Sequence, residues 1–405
     1  MSDNSVNTFS PVQSKRLLSL DALRGFDMLF IMGLSHLICS VCELFPSGAD
    51  SYLWQTMKHA SWDGLYHHDT IFPLFLFIAG VSFPFSYAKQ CEAGASRKSV
   101  YWKILRRAVI LIALGVVYNG FFKCQFDNLR ICSVLGRIGM AWALAALLYV
   151  NFSAKVRAAI AGVILVGYWL LICYVPAPDA QGAAALSVEG NLVGYVDRMI
   201  TPGRLLRKGL FDPEGLLSTV PAVMTAMLGM FAGEFVRRDD VPTVKWVDRL
   251  SGRSRGHGSV YPSGSDSFSV GSRKAGYMGL AALGMLAVGL VWSLVFPINK
   301  ALWTSSFVLV VGSYSLAMFA LFYYIIDVRG WQKWCIPFSV VGLNSITIYM
   351  AQKIVPFDRI SGFFLNGFAG MLPEAWGAVL LKAGYLAVTW LFLYFLYKKK
   401  TFLKI

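Results

Sequence analysis

Charge is what this chain has least of. Asp, Glu, Lys and Arg make up 15% of its 405 residues, well below the share that covers a soluble surface. Histidine is scarcer still, at five residues, and His36, His59, His67 and His68 all fall in one early stretch. Cysteines number seven, an odd count scattered through apolar runs without metal-ligand spacing. A disulfide framework or a structural zinc site is therefore excluded, and no metal is expected. The cysteines read as small core residues, with Cys124 and Cys132, which flank a short loop, as the one pair in position to bond. A cleavable signal peptide is also missing. Residues 1–14 are polar, Lys15-Arg16 follow, and the first apolar run has the length of a span without a small-residue cleavage site.

What is abundant is apolar surface. Hydrophobic residues make up 56% of the chain and the mean hydropathy is +0.57, which predicts an all-α polytopic membrane protein embedded in a lipid bilayer. The net charge of +15 would suit a nucleic-acid partner, but most Lys and Arg sit in short polar gaps between apolar runs, where they set topology instead. Runs of roughly 20 apolar residues predict about ten transmembrane helices, near 17–42, 68–88, 104–122, 130–150, 157–175, 215–236, 275–296, 302–326, 335–355 and 375–397. Of the 37 basic residues, 24 fall in gaps on the side of the N-terminus and ten on the other. This bias predicts that both termini lie in the cytoplasm.

Four segments follow: a cytoplasmic tail at 1–16, six spans at 17–236, a Ser/Gly/Arg-rich flexible linker at 237–274, and four spans with a basic tail at 275–405. The His59 loop and a long loop at 176–214 then face outward. Connections as long as the second are usually functional, and it reads as a lid.

The densest chemistry is His59-Ala-Ser-Trp62-Asp63-Gly64, followed by Asp69-Thr-Ile-Phe-Pro73. Ionisable groups at the mouth of a membrane helix are costly and mark a functional site by default. A neutral His59 can accept a proton near neutral pH or be acylated itself. Asp69 can orient the imidazole as in a triad, or the two can simply cap a loop and a helix. Trp62 and Asp63 are candidate substrate contacts. His67 and His68 cannot both point inward, so at least one is structural.

Asp21 and Arg24 are i,i+3 neighbours and read either as an internal ion pair or as a phosphate-binding edge. Arg137, mid-span, requires a cavity, a ligand phosphate or a carboxylate such as Asp27. Asp212-Pro-Glu214-Gly opens the sixth span, where acids cap a helix and where Glu214 could hold an amino sugar. Asn344-Ser345, mid-membrane, requires partners, and Asn344 is a candidate donor to an oxyanion.

Five ordered stretches resemble the membrane domain of the heparan-alpha-glucosaminide N-acetyltransferases and their bacterial relatives. They are Ser19–Asp27; His59–Gly64 with Asp69–Gly80; Leu129–Arg137; Gly194–Arg198 with Phe211–Leu217; and Asn299–Trp303 with Val341–Ser345. The resemblance implies a transmembrane acyltransferase-type bundle that moves acetyl from cytosolic acetyl-CoA to the amine of an amino sugar or glycan across the membrane. It places the essential histidine at His59, puts Asp69 and Asn344 on motif positions, and suggests a homodimer. Arg24, Asp21 and Arg137 would then serve acetyl-CoA, and Trp62, Asp63, Glu214 and Ser345 the acceptor. There are departures. His67-His68 stand where the family usually has other residues, the Ser/Gly-rich 251–272 stretch is particular to this chain, and only some sixteen polar residues precede the first span. An envelope or imported amino sugar is therefore expected rather than a heparan-type polymer. The rival readings are a sugar transporter with a His59/Asp69 proton relay and a polysaccharide O-acyltransferase.

Overall fold

The computed structural model describes residues 17–207, 209–238 and 264–403. The expected tail at 1–16 and residues 239–263 of the expected linker lie outside these. In chain order the helices that matter are α1 (Leu18–Cys42), α2 (His67–Glu92), α3 (Arg97–Tyr118), α4 (Val134–Asn151), α5 (Ala154–Tyr174), α6 (Leu192–Ile200) and α7 (Thr219–Arg237). They are followed by α8 (Gly264–Ser293), α9 (Ser305–Val328), α10 (Ile336–Gly342), α11 (Ser345–Ile354), α12 (Phe357–Gly370) and α13 (Glu374–Lys398). Among the described residues there is no strand, only two isolated bridges. The chain is an all-α polytopic membrane protein.

The count of spans differs from the ten predicted. Eight helices among the described residues (α1, α2, α4, α5, α7, α8, α9 and α13) are long and apolar enough to cross a bilayer. The ninth candidate is a broken helix, bent by 56° between its Lys333–Gly342 and Ser345–Ile354 halves. The run expected at 104–122 does form as α3, but Lys103, Arg106 and Arg107 interrupt its apolar sequence. The low-complexity stretch also differs from a linker, because its last residues already belong to α8, which starts at Gly264.

Small residues set the closest contacts. In α2 and α7, a Cβ on Gly80 would strike the Ala226 carbonyl, and one on Gly229 the Phe77 carbonyl. A Cβ on Gly25 of α1 would strike the Phe338 carbonyl of α10, and one on Gly342 would strike the Asp21 carbonyl. Lipid tails are as apolar as leucine, so backbone proximity of this kind, rather than a hydrophobic drive, holds such pairs together. The largest apolar cluster joins α2, α4 and α7 through Phe72, Trp142, Met227 and the fully buried Trp303.

Regular α-helix widens at Tyr323–Val328, the end of α9, and gives way at two further places beside the site. A wide turn at Phe30–Leu34 splits α1, with Gly33 at φ 128°, a conformation open to glycine at little cost. The second break separates α10 from α11 at Leu343-Asn344. Both breaks border the same cavity.

Candidate active site

The loop before α2 presents His59. Asp69, in the first turn of α2, is 1% exposed and its carboxylate organises the loop. One oxygen accepts from the backbone N–H groups of Ala60 (3.1 Å) and Tyr66 (3.2 Å). The other lies 2.7 Å from His59 Nδ1. A carboxylate can only accept here, so Nδ1 carries the proton and Nε2 is left as the basic atom. Lys300 Nζ lies 3.2 Å from the same Asp69 oxygen and 3.1 Å from His59 Nδ1. Burial pushes the Lys300 ammonium below its usual range, and Asp69 opposes that shift.

Lys300 arrives from a tight loop between α8 and α9. Asn299 builds it, accepting from Leu302 N at 2.9 Å and donating its own N–H to the Thr304 hydroxyl at 3.1 Å. The Asn299 side-chain amide donates to Asp63 at 3.0 Å, and Gly64 N donates to the Ile298 carbonyl at 2.8 Å. Asp63 thus clips the His59 loop to the Lys300 loop.

A cavity of about 430 Å³ begins at this cluster. His59, His68, Lys300 and Glu214 border it together with Ser345, Tyr349, Arg24 and Arg107. Between these polar groups the walls are apolar, with Met28, Phe72, Phe75, Leu135 and Ile138. Arg24 pairs with Asp21 at 3.6 Å, and the Arg107 guanidinium lies 4.3 Å from the Trp142 ring centre. A second cavity of about 480 Å³ lies against the 35–58 segment, bordered by His36, Glu43, Trp54, Lys58 and Lys382. His59 and His68 are the two residues that border both.

Beneath the cluster runs a buried ion network. Arg130 grips Asp212 through two nitrogens, at 2.7 and 2.6 Å, and also pairs with Glu214. Burial alone would raise the Asp212 carboxyl, but the Arg130 guanidinium outweighs it and holds the group below its ordinary range. Asp197 in α6 is fully buried and accepts from Asp212 N (3.2 Å) and Leu216 N (3.1 Å). Burial still pushes its carboxyl up to about 6.

Several expected roles move. Asp212 and Glu214 do not cap a helix: α7 starts at Thr219, and both acids are held by Arg130. Glu214 nevertheless borders the cavity. Arg137 is fully buried and meets neither cavity nor Asp27. It donates to the Gly215 carbonyl at 3.2 Å and to the Ser218 hydroxyl, with its guanidinium 5.0 Å from the Trp303 ring centre. Trp62 is a packing residue that donates to the Leu186 carbonyl at 2.9 Å and lies edge-on to Phe211. That bond also ties down the loop expected to be a lid. Asn344 borders neither cavity, although its neighbours Leu343 and Ser345 border the first. Cys124 and Cys132 are both free thiols.

His67 and His68 separate as their adjacency requires. His67 packs on Phe30 with ring centres 4.4 Å apart and reaches Tyr314 at 3.4 Å, while His68 meets the cavities. Lys300 and Arg130 lie inside two of the resembling stretches, yet neither they nor Arg107 is assigned a site role from the sequence. The signal for Lys300 was its flanking Asn299 and Trp303, a polar turn between two apolar runs.

No family model matches the chain. Curated relatives do. The heparan-alpha-glucosaminide N-acetyltransferase of Homo sapiens is 24% identical over 387 residues, covering 84% of this chain and 53% of that protein. The Mus musculus protein of the same name is 24% identical over an alignment of 444 residues, covering 97% and 61%. The chain is a distant relative of these N-acetyltransferases. It spans about half to three fifths of the length of the curated relatives it matches.

Proposed function

We propose that the protein transfers acetyl from acetyl-CoA, entering from the cytoplasmic face, to the amine of an amino sugar arriving from the opposite face. The observation that carries this reading is the continuity of one cavity, from two arginines at one end to the His59–Asp69–Lys300 cluster at the other. Arg24, Met28 and Ile31 follow one another along α1 on the wall of this cavity, which also meets His59 and His68, the arrangement an extended pantetheine arm would need. Arg24 and Arg107 fit the phosphates, since guanidinium groups bind them in a planar fork. The apolar middle fits the arm.

The chemistry follows from the geometry. Asp69 fixes the His59 tautomer, and Lys300 partners the carboxylate. His59 Nε2 then acts on the acceptor amine as a general base, or on the thioester carbon as a nucleophile that carries the acetyl group. The acceptor amine enters through the second cavity, which meets the first at His59. The acceptor amine must lose a proton before it attacks, so activity is expected to rise with pH and then level off. A flat profile from pH 5 to 8 would count against His59 as the base.

The test is transfer from labelled acetyl-CoA to glucosamine by the purified protein in detergent, alongside His59→Ala. Product that vanishes in the variant supports both the activity and its central residue. Product that survives keeps the activity and removes His59 from it. Labelled sugar crossing proteoliposomes without CoA, with no acetyl-CoA bound, would replace this reading with transport. Transfer to N-acetylglucosamine but not to glucosamine would make it an O-acyltransferase.

A further inference from the structure

His68 is the residue of this region with no assigned work. It makes none of the hydrogen bonds that hold the His59–Asp69–Lys300 cluster together. Its ring lies 4.6 Å from that of His59, edge to face. Its Nδ1 is 3.1 Å from the Ser35 hydroxyl. In the tautomer that donates Nδ1–H to Ser35, Nε2 holds the lone pair, and among the described residues no side chain takes it up. His59 and His68 are the two residues shared by the linings of the two cavities.

Acetylating a protonated amine removes two protons from one nitrogen. The first must leave before the lone pair can attack. The second leaves as the C–N bond forms and the thioester C–S bond breaks. The departing CoA thiolate takes one proton back, so one is released per turnover. A single imidazole holds only one proton at a time. His59, bonded through Nδ1 to Asp69 and facing the thioester, is suited to the second proton and its delivery to the thiolate.

Resting on the acetyltransferase reading above, we propose that His68 Nε2 is a second catalytic base, which takes the first proton from the incoming ammonium and releases it through the outer cavity. The charged and titratable groups facing it are His59, Asp69, Lys300 and His67 on the cluster side. Across the outer cavity they are His36, Cys39, Glu43, Lys58 and Lys382. Neither Nε2 of His68 nor the outer cavity is closed off from the other, since His68 borders both cavities.

The experiment compares wild type, His68→Gln and His59→Ala in detergent, with acetyl-CoA and two amines across pH 6 to 9. Glucosamine enters largely as the ammonium, whereas methoxyamine is already neutral at pH 7. His68→Gln should bind acetyl-CoA as wild type does. Its kcat with glucosamine should fall about 100-fold at pH 6.5, the lower end of what a general base contributes. That deficit should shrink about tenfold per pH unit as free amine appears. With methoxyamine its kcat should stay within about threefold of wild type. His59→Ala should lose both amines at every pH. An equal loss for both amines, or a deficit independent of pH, would make His68 merely structural and overturn the inference, as would no loss at all. If His68→Gln fails to bind acetyl-CoA, Ser35→Ala takes its place. It should reproduce the glucosamine-specific, pH-dependent deficit at about tenfold, and a wild-type profile there would overturn the inference. A wild-type protein that acetylates neither amine would remove the acetyltransferase reading itself, and this inference with it.

Discussion

Replacing Asp69 with Asn tests the cluster with the smallest change of shape. The carboxylate meets four donors: Ala60 N and Tyr66 N on one oxygen, His59 Nδ1 and Lys300 Nζ on the other. An asparagine oxygen satisfies the two backbone N–H groups, which turns its NH2 toward His59 and Lys300. Both of those were donors, so one must yield. His59 yields by moving its proton from Nδ1 to Nε2, the atom that faces the cavity. The base and nucleophile is then blocked while the loop stays in place. Holding the wrong tautomer of an imidazole in a triad costs about 10⁴ in kcat, and the loss of one hydrogen bond to a charged group costs about 1.5–3 kcal/mol, or 10- to 150-fold. The Asp69→Asn variant should therefore lose about 10³–10⁴ in kcat, with acetyl-CoA affinity changed less than threefold. The assay is steady-state transfer to glucosamine, with acetyl-CoA binding measured by calorimetry on the same preparation. A variant that keeps more than about a tenth of wild-type kcat refutes the tautomer reasoning. One that loses acetyl-CoA binding as well shows that Asp69 acts through the fold instead.

Three further outcomes follow from the surrounding network. Arg130→Met leaves Asp212 and Glu214 buried without their guanidinium and should cost about 3–5 kcal/mol of stability, read as a lower unfolding midpoint in detergent; an unchanged midpoint would show the network to be dispensable. Asp197 titrates near 6 when folded against 3.8 ordinarily, so in that window the folded state binds more protons than the unfolded one. Its contribution is full below pH ~4 and is lost as pH rises to ~6, by up to about 3 kcal/mol. Asp197→Asn should remove that slope, and identical pH dependence in variant and wild type would count against it. Arg107→Gln should raise KM for acetyl-CoA about 10- to 100-fold with kcat little changed, whereas a fall in kcat alone would place Arg107 away from the donor phosphates.

The sequence carried the helices well and the charged residues poorly, for one reason. A span is a property of twenty neighbouring residues, and periodicity or length reports it directly. What a buried arginine touches depends on residues far away in the chain. Arg137 sits mid-span whether its partner is a phosphate, Asp27 or the turn it actually holds at Gly215 and Ser218. Lys300 lies 241 residues from His59, and local sequence gives no hint of their 3.1 Å approach. His59 and Asp69 were legible because they share one loop and one helix start, where a ten-residue spacing already limits the geometry. Trp62 and Asp63 belong to the same motif yet hold the loop rather than border the cavity, since a motif marks the place of a site without dividing its labour.

Asn344 shows the same limit from the other side. A mid-membrane asparagine demands partners, and reading it as an oxyanion donor assigned that demand to a ligand. The structure places Asn344 at the helix break and leaves its buried side-chain Nδ2 without a partner among the described residues. Its N–H closes the end of α10 on the Val341 carbonyl at 3.0 Å, its carbonyl starts α11 by accepting from Ile348 N at 3.0 Å, and its side-chain oxygen lies 3.4 Å from the Thr347 hydroxyl. Non-helical backbone inside a bilayer survives only where protein or a cavity satisfies it. The break at Leu343-Asn344 and the wide turn at Phe30–Leu34 both meet that condition by bordering one cavity, through Leu343 and Ser345 on one side and Ile31 on the other. The irregular backbone is thus part of the site's construction. Gly33→Ala, which strains a φ of 128°, should shift Ile31 on the cavity wall and weaken acetyl-CoA binding, while the His59–Asp69 pair, held from the loop and α2, stays in place. Unaltered acetyl-CoA affinity in that variant would mean that the turn serves packing alone.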